Sequence, residues 1–445
     1  MSDTTPPRNT LPCTTRVDQE RRDSSSQSAI PVSRYLGGSM DSAERVTKGS
    51  AGVGKPRIAL YSHDTMGLGH MRRNLLIAQA LMASQIDPIV LLVAGARQAG
   101  VYWLPQGVDC LSLPSLQQLR YGDMDYTSRY LDMPLTEIIK LRADTVRAAL
   151  KSFAPDLLIV DNIPRGAVHE LDATLKALRG KARCVLGLRD VPDEPEKVRR
   201  EWGKTLNAKT LRDFYQEVWI YGDPKVYDSI HEYGFDDSII GKTRYVGYLD
   251  QRERLNHCPS DCKSVFENLG FPRGKLVLCM VGSGDDGTRL AAAFAHIDLP
   301  AGYNGILLTG PYMRQDVQQQ LHTHTANNPR LRVLDYLIEP GVLIQRADRI
   351  ITMGGYNSVC DVLTSGKPAL IVPRVLPHRE QWMRAHQLSR LGLADVLHPE
   401  EVTSRALGKW LSRNRTRART HVNMNGLNVI RERVADLINN RIERT

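Results

Sequence analysis

The sequence predicts an α/β protein made of two doubly wound, Rossmann-like domains. Three observations support this fold class. From residue 57 onward, short apolar runs alternate with longer stretches of helical periodicity, which is typical of parallel β-α-β units. A polar, turn-rich segment at 247–273 interrupts this alternation, and the same pattern then restarts. The chain has 445 residues, more than one hydrophobic core usually supports, so two domains are expected.

In the first half, the predicted strands are nearly continuous apolar runs, as expected of strands buried on both faces of a parallel sheet. These strands lie at 57–61, 89–93, 157–160, 184–188, 217–220 and 243–246. Helical periodicity predicts helices at 74–84, 135–153, 166–178 and 196–215. Four strands are followed by polar pairs: His63-Asp64, Asp161-Asn162, Arg189-Asp190 and Gly222-Asp223. Because ligand crevices of open α/β sheets lie at the carboxyl ends of strands, we expect two of these pairs to touch a ligand.

The second half repeats the architecture without repeating the sequence. Its predicted strands lie at 276–281, 305–308, 331–334, 349–352 and 369–372, and its helices at 288–295, 313–325, 340–346, 358–365 and 380–391. Residues 1–54 are rich in Ser, Thr, Pro, Gly and charge, which predicts a disordered leader. The expected domains are therefore a first domain at 55–250, a linker at 251–273, a second domain at 274–402 and a basic helical tail at 403–445.

Composition narrows the classes of partner. Lys and Arg number 59 against 49 Asp and Glu, a net charge of +10, which suits phosphorylated substrates or acidic membrane surfaces. No zinc finger, DNA-reading helix or aromatic-studded basic motif is evident, so nucleic acid is not a predicted partner. The seven cysteines are scattered, which indicates reduced thiols and a cytoplasmic location. Eight arginines of the tail could place the protein peripherally on an anionic membrane; they are Arg413, Arg415, Arg417, Arg419, Arg431, Arg433, Arg441 and Arg444.

The most informative motif joins the first predicted strand to the first predicted helix. It contains Gly67, Gly69, His70 and Arg73, and it places His70 at or near a helix N-terminus. The partial positive charge there favours anions and disfavours a protonated imidazole. A neutral histidine at the mouth of an α/β sheet can accept a proton from a hydroxyl, so His70 is the candidate general base. We expect Asp161 or Asp190 to orient it.

Three strand-helix junctions of the second half contain residues suited to a nucleotide sugar. The loop at 282–287 includes Ser283 and Gly284, and a second loop includes Gly354, Gly355, Asn357 and Ser358. Backbone N–H groups of such loops can bind a diphosphate. Asp361 follows one helical turn later, where its carboxylate can accept hydrogen bonds from ribose hydroxyls. Glu380 and Gln381 open a later helix and could bind sugar hydroxyls.

In this order, the junctions resemble the GT-B glycosyltransferases, and in particular the family that contains the N-acetylglucosaminyltransferase of peptidoglycan lipid-intermediate synthesis. The similarity is strongest over residues 351–385. The resemblance implies two domains facing across a cleft, with Asp361 at the ribose position that is usually Glu in the family. It also implies donor-sugar contact at Gln381, diphosphate contact at Ser283 and Gly284, and base contact along the backbone near Leu337. The acceptor region at 105–134 has no recognisable counterpart, so the acceptor of that enzyme is not carried over.

We therefore expect an inverting, metal-independent hexosyltransferase that uses a nucleotide-diphosphate sugar, such as a UDP-sugar, and a carbohydrate, lipid-linked or small-molecule acceptor. No cofactor and no metal are predicted. Asp123 and Asp125 have the spacing of metal-dependent transferases but lie in a Tyr-rich loop of the wrong domain. Two alternatives stay open. The nucleotide-sugar hydrolase of pseudaminic acid synthesis shares the pattern Gly-x-Gly-His-x-x-Arg and would use His70 to activate water, and a non-catalytic protein would only bind the nucleotide sugar.

Overall fold

The computed structural model describes residues 54–64, 68–118, 126–204, 206–258, 265–284, 286–413 and 421–442. The predicted leader, except for residue 54, lies outside the described residues, as do Gly67, Asp123 and Asp125. No helix in the described part of the chain is long and apolar enough to cross a membrane.

The first domain is built on a seven-stranded sheet whose strand order is β3-β2-β1-β6-β7-β8-β9. All of its neighbouring strands are parallel. The strands of this domain are β1 Arg57–Ser62, β2 Ile89–Ala94, β3 Val108–Ser112, β4 Leu116–Gln118, β5 Tyr126–Ser128, β6 Leu157–Asp161, β7 Arg183–Arg189, β8 Glu217–Tyr221 and β9 Thr243–Tyr245, of which β4 and β5 form a separate hairpin. Its helices are α1 Gly69–Met82, α2 Leu135–Phe153, α3 Asp172–Leu178, α4 Pro195–Lys204, α5 Asn207–Phe214, α6 Ser229–Tyr233 and α7 Asp237–Ile240.

The second domain contains a six-stranded parallel sheet with the order β12-β11-β10-β13-β14-β15. Its strands are β10 Lys275–Met280, β11 Tyr303–Leu308, β12 Leu331–Leu334, β13 Arg349–Thr352, β14 Ala369–Ile371 and β15 Asp395–Val396. The helices that follow the linker are α8 Thr288–Ala295, α9 Gln315–Thr325, α10 Gly341–Arg346, α11 Tyr356–Ser365, α12 Glu380–Arg390, α13 Ser404–Leu411 and α14 Gly426–Ile442. The doubly wound α/β class predicted from the sequence is therefore confirmed.

Two predicted helices are broken in the structure. The helix predicted at 196–215 is divided into α4 and α5, and Leu206 between them has a φ of +55°. The helix predicted at 166–178 begins as a 3₁₀ turn, Ala167–His169, and is helical only over α3. Gly166 there has a φ of +68°, and a Cβ would lie 2.7 Å from the hydroxyl of Tyr61. Left-handed backbone interrupts a helix whatever the periodicity of its side chains.

The C-terminal tail is not a separate segment, because its two helices join different domains. Trp410 of α13 packs into the same apolar cluster as Phe294 of the second domain. Helix α14 packs instead on the first domain, where Ile430 and Val434 join the cluster that contains Leu76 of α1. The same cluster includes Leu278 of the second sheet, so one continuous apolar core connects the two domains.

Candidate active site

A cavity of about 390 Å³ lies where the carboxyl ends of the two sheets face each other. Residues from both domains line it, as expected of a crevice at the ends of parallel strands. The predicted site residues along its wall are Gly69, His70, Arg73, Ser283, Leu337, Gly355, Asn357, Ser358, Asp361, Glu380 and Gln381. Asp161, Asp190, Gly284 and Gly354 lie behind this wall rather than on it.

His70 is the second residue of α1, at the mouth of the cavity. The helix begins there because the carboxylate of Asp64 accepts a hydrogen bond of 2.8 Å from the backbone N–H of Met71. His70 Nδ1 lies 2.5 Å from Oδ2 of Asp161. A carboxylate can only accept, so this contact requires the proton on Nδ1; Nη2 of Arg73, which can only donate, lies 2.9 Å from the same nitrogen. With the proton on Nδ1, a neutral His70 has its lone pair on Nε2, as a general base requires.

Asp161 ends β6 and is completely buried. Arg73 lies one helical turn after His70 on the same face of α1, and its guanidinium donates to both carboxylate oxygens of Asp161 at 2.5–2.9 Å. Burial raises the pKa of Asp161, but the charge of Arg73 and the hydrogen bonds from Arg73 and His70 outweigh it and hold that pKa well below its usual range. The carboxylate therefore stays ionised and fixes the orientation of His70.

The structure answers which aspartate orients His70. Asp190 accepts hydrogen bonds of 2.8–2.9 Å from Nε of Arg384 and one of 2.8 Å from the hydroxyl of Tyr248. Arg384 is fully buried and belongs to α12, so this ion pair connects the two domains. The expectation that Asp190 could orient His70 is wrong; Asp161 makes that contact.

The polar pairs at strand ends contribute more to the cavity than predicted. His63, Asn162 and Arg189 all line it, so three of the four pairs place a side chain there. The ring of His63 lies 4.6 Å from that of His70, and burial together with His70 lowers the pKa of His63 well below its usual value. The fourth pair is structural, because Asp223 accepts from the backbone N–H of Lys225 at 2.9 Å.

In the second domain, glycines shape the loops that were predicted to bind diphosphate. Gly284 has a φ of +95°, and a Cβ there would lie 2.4 Å from the carbonyl oxygen of Thr309. Gly354 has a φ of +85°, and a Cβ there would lie 2.7 Å from Ile371. A Cβ at Gly355, directly before α11, would meet nothing within 4 Å, so the backbone at this helix N-terminus is accessible.

The acidic side chain of the 282–287 loop that the structure describes lines the cavity and is paired with an arginine. Asp286 forms an ion pair of 3.3 Å with Arg374, which in turn binds Glu380 at 2.6 Å. The backbone N–H of Arg374 also donates to Oε1 of Gln381 at 3.0 Å. These contacts hold Gln381 against the cavity at the start of α12.

Asp361 is buried on α11 and paired with Arg254 at 3.2 Å. Arg254 also lies 3.1 Å from Glu339, and Arg72 of α1 approaches Glu339 at 3.8 Å. Burial raises the pKa of Asp361 to about 6, although Arg254 and Arg72 oppose the shift. Arg254 lies in the segment predicted as a linker, and no local pattern marked it as part of the site.

Asn357 provides a contact across the cleft, because its Nδ2 donates 2.9 Å to the carbonyl oxygen of Gly69. The donor-side loop of α11 therefore touches the first residue of α1, next to His70. The base candidate and the predicted donor site thus face the same cavity from opposite domains.

Known proteins are similar to this chain in part of its sequence and in its fold. Residues 290–440 match the family model of the glycosyltransferase family 28 C-terminal domain. Over 86 residues the chain is 31% identical to the UDP-N-acetylglucosamine--N-acetylmuramyl-(pentapeptide) pyrophosphoryl-undecaprenol N-acetylglucosamine transferase of Rubrobacter xylanophilus. That alignment covers 19% of this chain, and it spans only a quarter (25%) of the length of this curated relative.

Solved structures resemble the chain over a much larger part of its length. The glycosyltransferase of kitacinnamycin matches 87% of this chain and 100% of its own, with a TM-score of 0.52 and 15% identity. Acinetobacter baumannii MurG matches 86% of this chain and 99% of its own, with a TM-score of 0.50 and 17% identity. LpCGTa, solved in complex with UDP, matches 87% of this chain and 95% of its own, with a TM-score of 0.52 and 12% identity. The chain therefore has the GT-B fold, and residues 290–440 are similar to the glycosyltransferase family 28 C-terminal domain.

Proposed function

We propose that this protein is an inverting, metal-independent glycosyltransferase that uses a nucleotide-diphosphate sugar, in the first instance a UDP-sugar. One observation carries the proposal: the His70–Asp161 pair of the first domain faces the same cavity as Asp361 and the glycine loops of the second. LpCGTa binds UDP within the same fold, and the Rubrobacter xylanophilus relative is named as a transferase of a UDP-sugar. Both support the choice of donor.

In the proposed reaction, Nε2 of His70 takes the proton of the acceptor hydroxyl. The resulting oxygen attacks the anomeric carbon from the face opposite the diphosphate, and the bond from that carbon to the phosphate oxygen breaks. The electron pair leaves with the diphosphate, whose growing charge is stabilised by backbone N–H groups at Ser283 and Gly355 and by the N-terminus of α11. Asp161 stabilises the imidazolium that forms on His70.

Donor binding is assigned to the second domain. Asp361 accepts hydrogen bonds from the ribose hydroxyls, and Gln381, held by the backbone of Arg374, binds the sugar. Leu337 lies beside the base. Contacts across the cleft, such as Asn357 to Gly69, bring acceptor and donor together and exclude water from the reacting atoms.

The decisive experiment measures nucleotide release by the full chain from UDP-, dTDP-, GDP- and ADP-sugars, with and without a panel of hydroxyl acceptors. A transferase releases nucleotide slowly until its acceptor is added. Complete release without acceptor would identify a nucleotide-sugar hydrolase that uses His70 to activate water, and binding without release in either case would identify a non-catalytic protein. His70→Ala should lower turnover at least about a hundredfold. His296→Ala, a histidine stacked on His324 outside the cavity, is the matched control.

Peripheral contact with an anionic membrane stays a prediction. Of the tail arginines invoked for it, Arg431 is paired with Glu253 at 3.0 Å and Arg433 is paired with Glu217. These two arginines therefore attach α14 to neighbouring elements of the protein, which weakens the charge argument for a lipid surface. Sedimentation with anionic vesicles at low salt tests the contact, since electrostatic binding to a membrane disappears as salt is added.

A further inference from the structure

Arg189 is a cavity residue to which the proposed mechanism gives no role. It is the last residue of β7, at the carboxyl ends of the strands of the first sheet, and it lines the cavity. Within the part of the chain that the structure describes, its Nε is buried without a hydrogen-bond partner, and its guanidinium makes a long contact of 3.5 Å with the carbonyl oxygen of Pro192. Among the residues that the structure describes, no carboxylate forms an ion pair with it.

The neighbouring buried arginines are all neutralised. Arg73 is paired with Asp161, Arg384 with Asp190, and Arg374 with Glu380. Burial lowers the pKa of Arg189; Glu380 raises it, and the positive charges of Arg384 and Arg73 lower it further. Arg189 is thus the member of this group whose charge the fold leaves uncompensated.

Arg189 is half-buried, with its Nε out of contact with water. A charge that is withdrawn from water without gaining a partner destabilises a folded protein. Within the described residues, other buried polar atoms of the cavity lining also lack a hydrogen-bond partner, among them Nδ1 of His63, Oδ1 of Asn162 and Oε2 of Glu380. Unpartnered polar groups that converge on a cavity indicate a ligand that completes them. For Arg189 the complementary ligand group is an anion.

The position of Arg189 indicates which ligand supplies this anion. Arg189 ends β7, which pairs with β6, the strand that ends in Asp161, so Arg189 extends from the first domain, on the side of the cavity that holds His70. The loops suited to the donor diphosphate belong to the other domain and have their own backbone N–H groups. An anion at Arg189 therefore belongs to the molecule whose hydroxyl faces His70.

We propose that Arg189 binds an acidic group of the acceptor, a phosphate or a carboxylate, beside the hydroxyl that His70 deprotonates. The identification of the ligand as an acceptor rests on the proposed glycosyl transfer. In this arrangement the acidic group pairs with Arg189, and this contact holds the acceptor hydroxyl next to His70. The protein would then select acidic acceptors over neutral ones of the same shape.

The test is a calorimetric titration of inorganic phosphate into the full chain saturated with UDP. We expect the wild type to bind phosphate and Arg189→Met to bind it at least about tenfold more weakly, the usual effect of losing a charged hydrogen bond. The affinity of Arg189→Met for UDP should differ from that of the wild type by less than about twofold, the usual size of an indirect effect of a substitution. Arg147→Gln, which removes one positive charge from an exposed ion pair on α2, should change neither affinity.

A second measurement separates ligand binding from a structural role. In phosphate-free buffer, Arg189→Met should raise the melting temperature, because it removes a charge that has no partner in the fold. A lower melting temperature would show that Arg189 serves the structure.

Three titration results would also overturn the proposal: no phosphate binding by the wild type, equal phosphate binding by Arg189→Met, or phosphate competing with UDP while the variant loses UDP affinity. The last would assign Arg189 to the donor diphosphate. These titrations involve no turnover, so their failure is distinct from failure of the His70 test.

Discussion

Replacing Asp161 by Asn separates the two tasks that this carboxylate performs in the structure. Asp161 is fully buried, and Arg73, which is only 2% exposed, donates to both of its oxygens. Asparagine preserves the volume but leaves the guanidinium buried without a counter-charge. Breaking a buried ion pair from one side costs about 3–5 kcal/mol, a large part of the roughly 5–15 kcal/mol that stabilises a typical domain.

The same substitution also removes the acceptor that orients His70. The assay uses the nucleotide sugar from which the wild type releases nucleotide fastest. Turnover of this donor should fall at least about a hundredfold, the effect expected when a general base is misplaced. Urea unfolding followed by circular dichroism measures the stability, and nucleotide release measures the turnover. The double variant Asp161→Asn/Arg73→Met removes both charges, so it should recover most of the stability without recovering turnover.

The pH dependence follows from the lowered pKa of Asp161. Its stabilisation is fully present above the unfolded pKa of about 3.9 and is lost as the pH falls through the folded value. The stability difference between wild type and Asp161→Asn should therefore be constant from about pH 5 to pH 8. An unfolding free energy within about 0.5 kcal/mol of the wild type, or turnover restored in the double variant, would refute this account of Asp161.

Three further predictions concern the donor site and the domain contact. Because the pKa of Asp361 is raised to about 6, donor binding by the wild type should weaken as the pH falls below 6. Asp361→Asn should bind the donor weakly at every pH, and calorimetry with UDP from pH 5 to 8 measures the difference. Arg384→Gln leaves Asp190 buried without its partner and should destabilise the protein by about 3–5 kcal/mol in urea unfolding, and an unchanged midpoint would contradict the role of this ion pair. Gly284→Ala should weaken UDP binding more than Gly282→Ala, since a Cβ at 284 meets backbone at 2.4 Å and one at 282 meets nothing within 4 Å; equal affinities would rule out a steric role for this loop.

Most of the strands and the strand-helix junctions could be predicted from the sequence. Buried parallel strands are apolar along their whole length, as in β1, β6 and β7, and they stand out from the helices between them. The short edge strand β3 was missed because its sequence, Val-Asp-Cys-Leu-Ser, mixes apolar and polar residues and is only partly buried. The hairpin of β4 and β5 was missed because its three-residue strands are too short for a periodicity.

The candidate site was predictable to the extent that its residues sit at strand ends and helix starts. His70 and Arg73 share a face because they are three residues apart on one helix, and Ser283 and Gly355 occupy loops that follow strands. The cluster of polar pairs at strand ends also indicated Arg189, although nothing local showed that it would lack a counter-charge. The left-handed conformation of Gly284 and Gly354 agrees with the glycines found there.

Only the tertiary structure decided how the charges pair. The carboxylates Asp161 and Asp190 follow adjacent strands and look equivalent in sequence, yet one orients His70 and the other binds Arg384 of the opposite domain. Arg254, from the segment predicted as a linker, reaches Asp361, 107 residues away in the chain.

The placement of the last helix was likewise a tertiary outcome. The sequence predicts a basic helical tail, but not that its last helix, α14, packs on α1 of the first domain. Periodicity and turn chemistry act over a few residues, so the sequence by itself determined the elements and their order. Ion pairs and packing partners depend on which distant elements the fold brings together, and a local pattern contains no information about them.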